Sequence, residues 1–158
     1  MGKEAKTNAM RMLNYTSHEY PHEEGQAVDG AHVAQLTGQD PAKVFKTLVT
    51  QGADRNYYVF VVPVLAELDL KKAAKSVGVK SVAMIHVADI NKVTGYIRGG
   101  CSPVGMKKQF ATVFDESCLA QPTILVSGGR IGTQIECAPA DLVKVTRGKT
   151  AAITAENA

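Results

Sequence analysis

Val44-Phe45-Lys46-Thr47-Leu48-Val49-Thr50, followed after a polar gap by Tyr57-Tyr58-Val59-Phe60-Val61-Val62-Pro63-Val64, is the pair of segments that decides the fold. Both are dense in β-branched and aromatic residues, which suit a pleated, packed surface. Gly52-Ala53-Asp54 between them has turn chemistry, so the two read as a hairpin. The second segment is apolar or aromatic at consecutive positions from Tyr57 to Val62, which predicts burial on both faces and therefore cover on both sides of the sheet. Lys46 breaks the pattern. A desolvated ammonium is costly unless it is paired, deprotonated or facing a cavity. Snorkelling, with the stem on apolar surface and the head in water, is the ordinary explanation, and the rest of the chain has to decide whether it suffices.

Upstream, Pro41 opens one helical turn before the lysine strand. Asp29 caps a helix through Leu36 that stops at Gly38, a short strand spans Glu19 to His22, and Lys3 to Asn14 reads as an amphipathic opening helix. Downstream, Leu68 to Val77 is the clearest helix, with Asp69 at its start and Gly78 at its end. Val79 to Val87 is ambiguous. Ala88 to Thr94 reads as a helix and Tyr96 to Arg98 as a strand. The punctuated run Gly99-Gly100-Cys101-Ser102-Pro103-Val104-Gly105 must then be a tightly shaped loop. Phe110 to Phe114, Thr123 to Ser127 and Ile131 to Cys137 complete the strands. Pro139 to Val145 is a terminal helix, and residues 147–158 read as a frayed tail. Strands outnumber the room for regular β-α-β alternation, so the expected class is mixed α/β, with a curved or barrel-like mixed sheet surrounded by helices.

The 158 residues suit one domain over 1–158, and no apolar run approaches the length of a membrane span. A polar start without a signal-peptide core, and three widely spaced cysteines (Cys101, Cys118, Cys137), predict a cytoplasmic protein with reduced thiols. The net charge of +3 is too small to announce nucleic acid by itself. Its clusters, Lys71-Lys72-Lys75, Lys107-Lys108 and Lys144-Arg147-Lys149, are more often solvated faces than phosphate contacts.

Three features could form one site: Lys46, the glycine loop 99–105, and Ser127-Gly128-Gly129 after a strand. Glycines at strand ends let backbone N–H groups approach a carbonyl oxygen on which charge builds, although glycine pairs alone more often only make turns. Gly128-Gly129-Arg130-Ile131-Gly132 is not a dinucleotide fingerprint, because Thr133 to Cys137 alternates like a strand where a helix would have to open. Cys101 has no neighbouring base in sequence, with His86 or His32 able to approach only in space. His18 and His22 are separated by Pro21, no zinc spacing occurs, and no carboxylate dyad can be assigned, so neither a metal nor an organic cofactor is expected.

Taken in order, Phe45-Lys46-Thr47-Leu48, Leu68-Asp69-Leu70-Lys71-Lys72, Thr94-Gly95-Tyr96 with Gly99 to Gly105, Lys107-Lys108 and Val126-Ser127-Gly128-Gly129 resemble the YbaK/EbsC family. Its members are free-standing aminoacyl-tRNA deacylases related to the editing domain of bacterial prolyl-tRNA synthetases. The resemblance covers about Tyr20 to Val145 and is closest to the branch that clears cysteine mischarged on proline tRNA. It implies a pocket between the lysine strand and the glycine loop. Lys46 is then the essential residue, fixing the ester or the terminal ribose. Gly99, Gly100 and the backbone of Cys101 orient the carbonyl, within a loop that includes Ser102 and Pro103. Tyr20, Thr47, Ser127, Gly128, Gly129 and Gln134 shape the pocket. The substrate's own thiol is the implied nucleophile, and aminoacyl-tRNA, with a prolyl-tRNA synthetase beside it, the implied partner. The alternatives are water-driven cleavage of an alanyl or seryl ester, and a non-catalytic module that binds tRNA or a synthetase.

Two departures stand out. The family's cysteine-specific members tend to continue Ser-Gly-Gly-Lys-Arg-Gly-x-Asp, whereas here the run ends in Gln134, an amide in place of a carboxylate. Position 101 is usually aliphatic in the family, so Cys101 reads as an apolar substitute.

Overall fold

A computed structural model describes residues 15–20, 38–97 and 100–155. The helices expected over Lys3 to Asn14 and Asp29 to Leu36 lie outside the described residues, as do His22, Arg98 and Gly99. The elements in chain order are β1 (Thr16–Glu19), β2 (Phe45–Gly52), β3 (Tyr57–Pro63), α1 (Leu70–Val77), β4 (Val82–Met84), α2 (Ile90–Thr94), β5 (Ala111–Asp115), β6 (Ile124–Arg130), β7 (Thr133–Cys137), α3 (Pro139–Thr146) and β8 (Lys149–Ala151). Short 3-10 turns occupy Pro41–Lys43, Val87–Asp89 and Glu116–Ala120.

The expected hairpin is present: β2 and β3 pair antiparallel from Phe45 opposite Pro63 to Gln51 opposite Tyr57. They form the middle of a five-stranded mixed sheet ordered β4-β2-β3-β5-β8, in which β3, β5 and β8 run parallel. Burial on both faces of β3 holds from Val59 to Val62, all fully buried. Phe60 and Val62 pack against Ala73 and Ala74 of α1, whereas Val61 packs with Phe114 against Val126, Ile135 and Leu142 from the other side. The helix on the first face is bounded as its sequence predicts. The Asp69 carboxylate accepts the N–H groups of Lys71 and Lys72 at 2.9 and 3.0 Å, and Gly78 closes the helix in the left-handed region at φ 73°.

The second face is covered by α3 and by a three-stranded antiparallel sheet ordered β1-β7-β6. An isolated parallel bridge from Val44 to Leu125 joins the two sheets, so the curved sheet expected from the sequence resolves into two sheets stitched at one corner.

Four departures from expectation go beyond one or two residues at an element's end. The first strand is Thr16–Glu19 and ends before Tyr20. Tyr96 and Ile97 are not in a strand; the Tyr96 hydroxyl instead donates to the Val104 carbonyl at 2.7 Å, which ties the glycine loop down. The β6 strand runs through Gly128 and Gly129 instead of ending at Ser127. The tail expected to fray over 147–158 is docked through residue 155: β8 joins β5, Ile153 is fully buried, and Asp69 N–H donates to the Ile153 carbonyl at 2.8 Å. Twelve C-terminal residues without a periodic pattern look unstructured locally, yet one buried isoleucine and a sheet edge supply a place for them. Residues 156–158 lie outside the described residues. No helix among the described residues is long and apolar enough to cross a membrane.

Candidate active site at the start of β2

Alternation along β2 sends Phe45, Thr47 and Val49 to one face and Val44, Lys46 and Leu48 to the other. The neighbours identify the faces. Phe45 lies in the core with Val126 and Ile135, and Val49 packs with Tyr96 and Cys101, so Thr47 belongs to the glycine-loop side. Val44 packs with Leu125 and Val64. Two residues beyond the parallel Val44–Leu125 bridge come Lys46 and Ser127, which period two returns to the Val44 and Leu125 face.

From Ser127 the face continues by register. Ser127 opposes Gln134 across β6 and β7, and Gln134 opposes His18 across β7 and β1. Tyr20 prolongs that ladder, its N–H donating to the Gly132 carbonyl at 2.8 Å while its buried ring packs on Ile131. Lys46, Ser127, Gln134 and Tyr20, scattered over 115 positions of sequence, thus occupy one surface.

The glycines have separate structural jobs. Between the Ser127–Gln134 and Arg130–Thr133 pairs, β6 advances three residues against one of β7, and Gly128 and Gly129 take up the surplus as a bulge. Gly129 has φ 102°, and its N–H donates to Ser127 Oγ at 3.2 Å. A bulge re-aims the side chains beside it, here those next to Ser127. Gly100 brings the 99–105 loop onto this bulge: a Cβ there would stand 2.9 Å from Arg130 Cα and 3.0 Å from Ile131 N, both backbone atoms. Only glycine permits that approach. Gly99, expected to share the task, lies outside the described residues.

Other residues of the loop are occupied within it. Ser102 is fully buried and its Oγ accepts the Val104 N–H at 3.3 Å, and Pro103 is buried beside it. Burial pushes the Cys101 thiol up to about 11, which leaves roughly one thiolate in ten thousand near neutral pH. Cys101 packs with Val49 and Tyr96 as an apolar side chain.

Against this well-bonded background a few polar groups lack partners. Lys46 is half-buried, and among the described residues its Nζ reaches only the Val64 carbonyl, at 3.5 Å. Among the described residues no carboxylate is in ion-pair reach of it; Glu136 is taken by Lys43 at 3.2 Å and His18 at 2.8 Å. Among the described residues two buried side-chain oxygens, Thr47 Oγ1 and Gln134 Oε1, have no hydrogen-bond partner.

The Glu136 cluster was not visible in the sequence. Its carboxylate accepts from Thr123 Oγ1 at 2.5 Å as well as from Lys43 and His18, and these bonds, Thr123's first, hold its pKa at about 2. It ties β1, β7, the residue before β6 and the turn before β2 together. Alternation over Ile131 to Cys137 places Glu136 on the Gln134 face, but nothing local names its partners.

A family model described as the aminoacyl-tRNA editing domain matches residues 24–145. The chain is 45% identical over 155 residues, 94% of its length and 93% of the relative's, to EbsC of Enterococcus faecalis, a protein assigned as a Cys-tRNA(Pro)/Cys-tRNA(Cys) deacylase. Among solved structures it is similar to one described as a trans-editing enzyme for prolyl-tRNA synthetase (25% identity, TM-score 0.78, covering 90% of this chain and 87% of that one). It also shares its fold with the hypothetical protein APE2540 (24% identity, TM-score 0.80, covering 92% and 94%).

Proposed function

The chain belongs to the family of aminoacyl-tRNA editing domains, and from that premise we propose that it is a free-standing deacylase that removes cysteine from mischarged proline tRNA, and from cysteine tRNA as well. The observation that carries the reading is Lys46: a half-buried ammonium that, among the described residues, has a single long bond to a carbonyl and no counter-ion, on the face shared by Ser127, Gln134 and Tyr20. A protein gains nothing in stability from a charge held this way, whereas an ester carbonyl or a terminal ribose oxygen set against it gains a preorganised donor.

The described residues around Lys46 contain no activated nucleophile, and the nearest thiol of the loop is held protonated. Cleavage then falls to the substrate. The cysteinyl thiol attacks its own carbonyl carbon, a sulfur–carbon bond forms, the bond from that carbon to the ribose oxygen breaks, and the thiol proton passes to the departing oxygen. The protein supplies position and a fixed charge. With a formal charge of only +3, tRNA affinity is weak and salt-sensitive, and a prolyl-tRNA synthetase holding the same tRNA supplies the remainder.

Purified protein mixed with cysteinyl, alanyl and seryl proline tRNAs tests this. Cysteine is released faster than the spontaneous rate and release stops when its thiol is alkylated. Release of alanine or serine with indifference to alkylation transfers the reading to a water-driven deacylase, and no release from any of the three refutes it.

A further inference from the structure

Gln134 is 6% exposed, and among the described residues its Oε1 has no donor. The large majority of buried side-chain polar atoms in folded proteins are paired, because an unmade bond lowers stability. Neither ladder neighbour is bonded to it: Ser127, directly across, accepts from Gly129 N–H at its Oγ, and His18, on the other side, has its Nε2 on Glu136. The fold therefore leaves one acceptor open on the same face as Lys46, which carries donors and no acceptor.

A donor and an acceptor side by side match one small group of the substrate. An α-aminoacyl ester presents a carbonyl oxygen, which needs a donor, and an amine one carbon away, which needs an acceptor. We propose that Gln134 is a specificity-determining residue whose amide oxygen accepts an N–H of the substrate's α-amine, so that the site selects α-aminoacyl esters over acyl esters without that amine. This rests on the deacylase reading above. A site built to bond an N–H discriminates against analogues that lack it, because its own buried oxygen is then left bare.

The test uses the full chain and two tRNA esters, cysteinyl and 3-mercaptopropionyl, which differ only in the amine. The wild type cleaves the first with kcat/KM at least about tenfold higher. Gln134→Leu loses that preference to within about threefold of unity, chiefly through the cysteinyl ester, while Gln134→Glu, which keeps an acceptor, retains it. A structural role would lower the melting temperature of Gln134→Leu; release of an unpaired buried oxygen leaves it unchanged or raised. Equal cleavage of both esters by the wild type, or a Gln134→Leu variant that keeps the preference, overturns the assignment while the deacylase reading stands. Cleavage of neither ester by the wild type overturns both.

Discussion

The two ends of β2 carry similar residues in opposite condition. At the hairpin end Thr50 is fully buried and its hydroxyl donates to the Tyr58 carbonyl at 2.9 Å, while the Tyr58 hydroxyl donates to Asp54 at 2.5 Å. At the other end, three residues away, and among the described residues, Thr47 has a buried oxygen with no partner and Lys46 one bond at the limit of length. One strand thus closes its polar account where it turns and leaves it open where it meets β6. Polar groups that a fold needs are bonded within the fold, and those left open are available to something outside it.

Four experiments press on this contrast, from the largest effect to the smallest. Lys46→Ala removes the open end's charge, and deacylation falls by about a hundredfold or more with the melting temperature little changed. Full activity of that variant would erase the distinction between the two ends. Gly100→Ala forces a Cβ into the backbone of Arg130 and Ile131, so the loop backs away from the bulge. Activity drops at least about tenfold, and stability by about 1–3 kcal/mol in urea titrations.

Glu136→Gln probes the network beside the open end. Because Thr123, and after it His18 and Lys43, hold this carboxylate at about 2 against an ordinary 4.5, it stabilises the fold above pH 4.5 and loses that contribution as pH falls toward 2. The glutamine variant is less stable by about 1–2 kcal/mol at neutral pH, and its stability declines less steeply in acid, as denaturant midpoints measured across that range would show.

The smallest effect is the most direct comparison. Thr50→Val strips a satisfied hydroxyl and costs about 1–2 kcal/mol of stability without altering turnover per folded molecule. Thr47→Val removes an unsatisfied one and costs no stability, while KM rises by about threefold or more. If the two variants behave alike in both assays, the contrast between the strand's ends has no functional meaning.

How much could be read in advance follows the range of the forces involved. The hairpin was legible because β-branched runs flank Gly52-Ala53-Asp54, and α1 because Asp69 and Gly78 satisfy its terminal backbone groups within a few residues. The displaced first strand, the absence of a strand at Tyr96 and the docked tail were not, since each depends on a distant partner: Thr133 for Glu19, Val104 for Tyr96, and Asp69 for Ile153. Within the site, Lys46 betrayed itself as a cation in an apolar run and the glycines as punctuation, whereas Glu136 looked like any alternating acid until Thr123, His18 and Lys43 were brought to it.

By itself the sequence determined a mixed α/β class, a lysine needing a reason, two glycine-rich segments and a family resemblance. Those are properties of composition, periodicity and order along the chain. Only the tertiary structure decided that Gly100 rests on the Arg130–Ile131 backbone, that Gly128 and Gly129 lie inside a strand as a bulge, and that Gln134 faces Ser127 with its oxygen unbonded. Close approach and hydrogen-bond satisfaction are relations between atoms far apart in sequence, and no local pattern records which of them the folded chain leaves unmet.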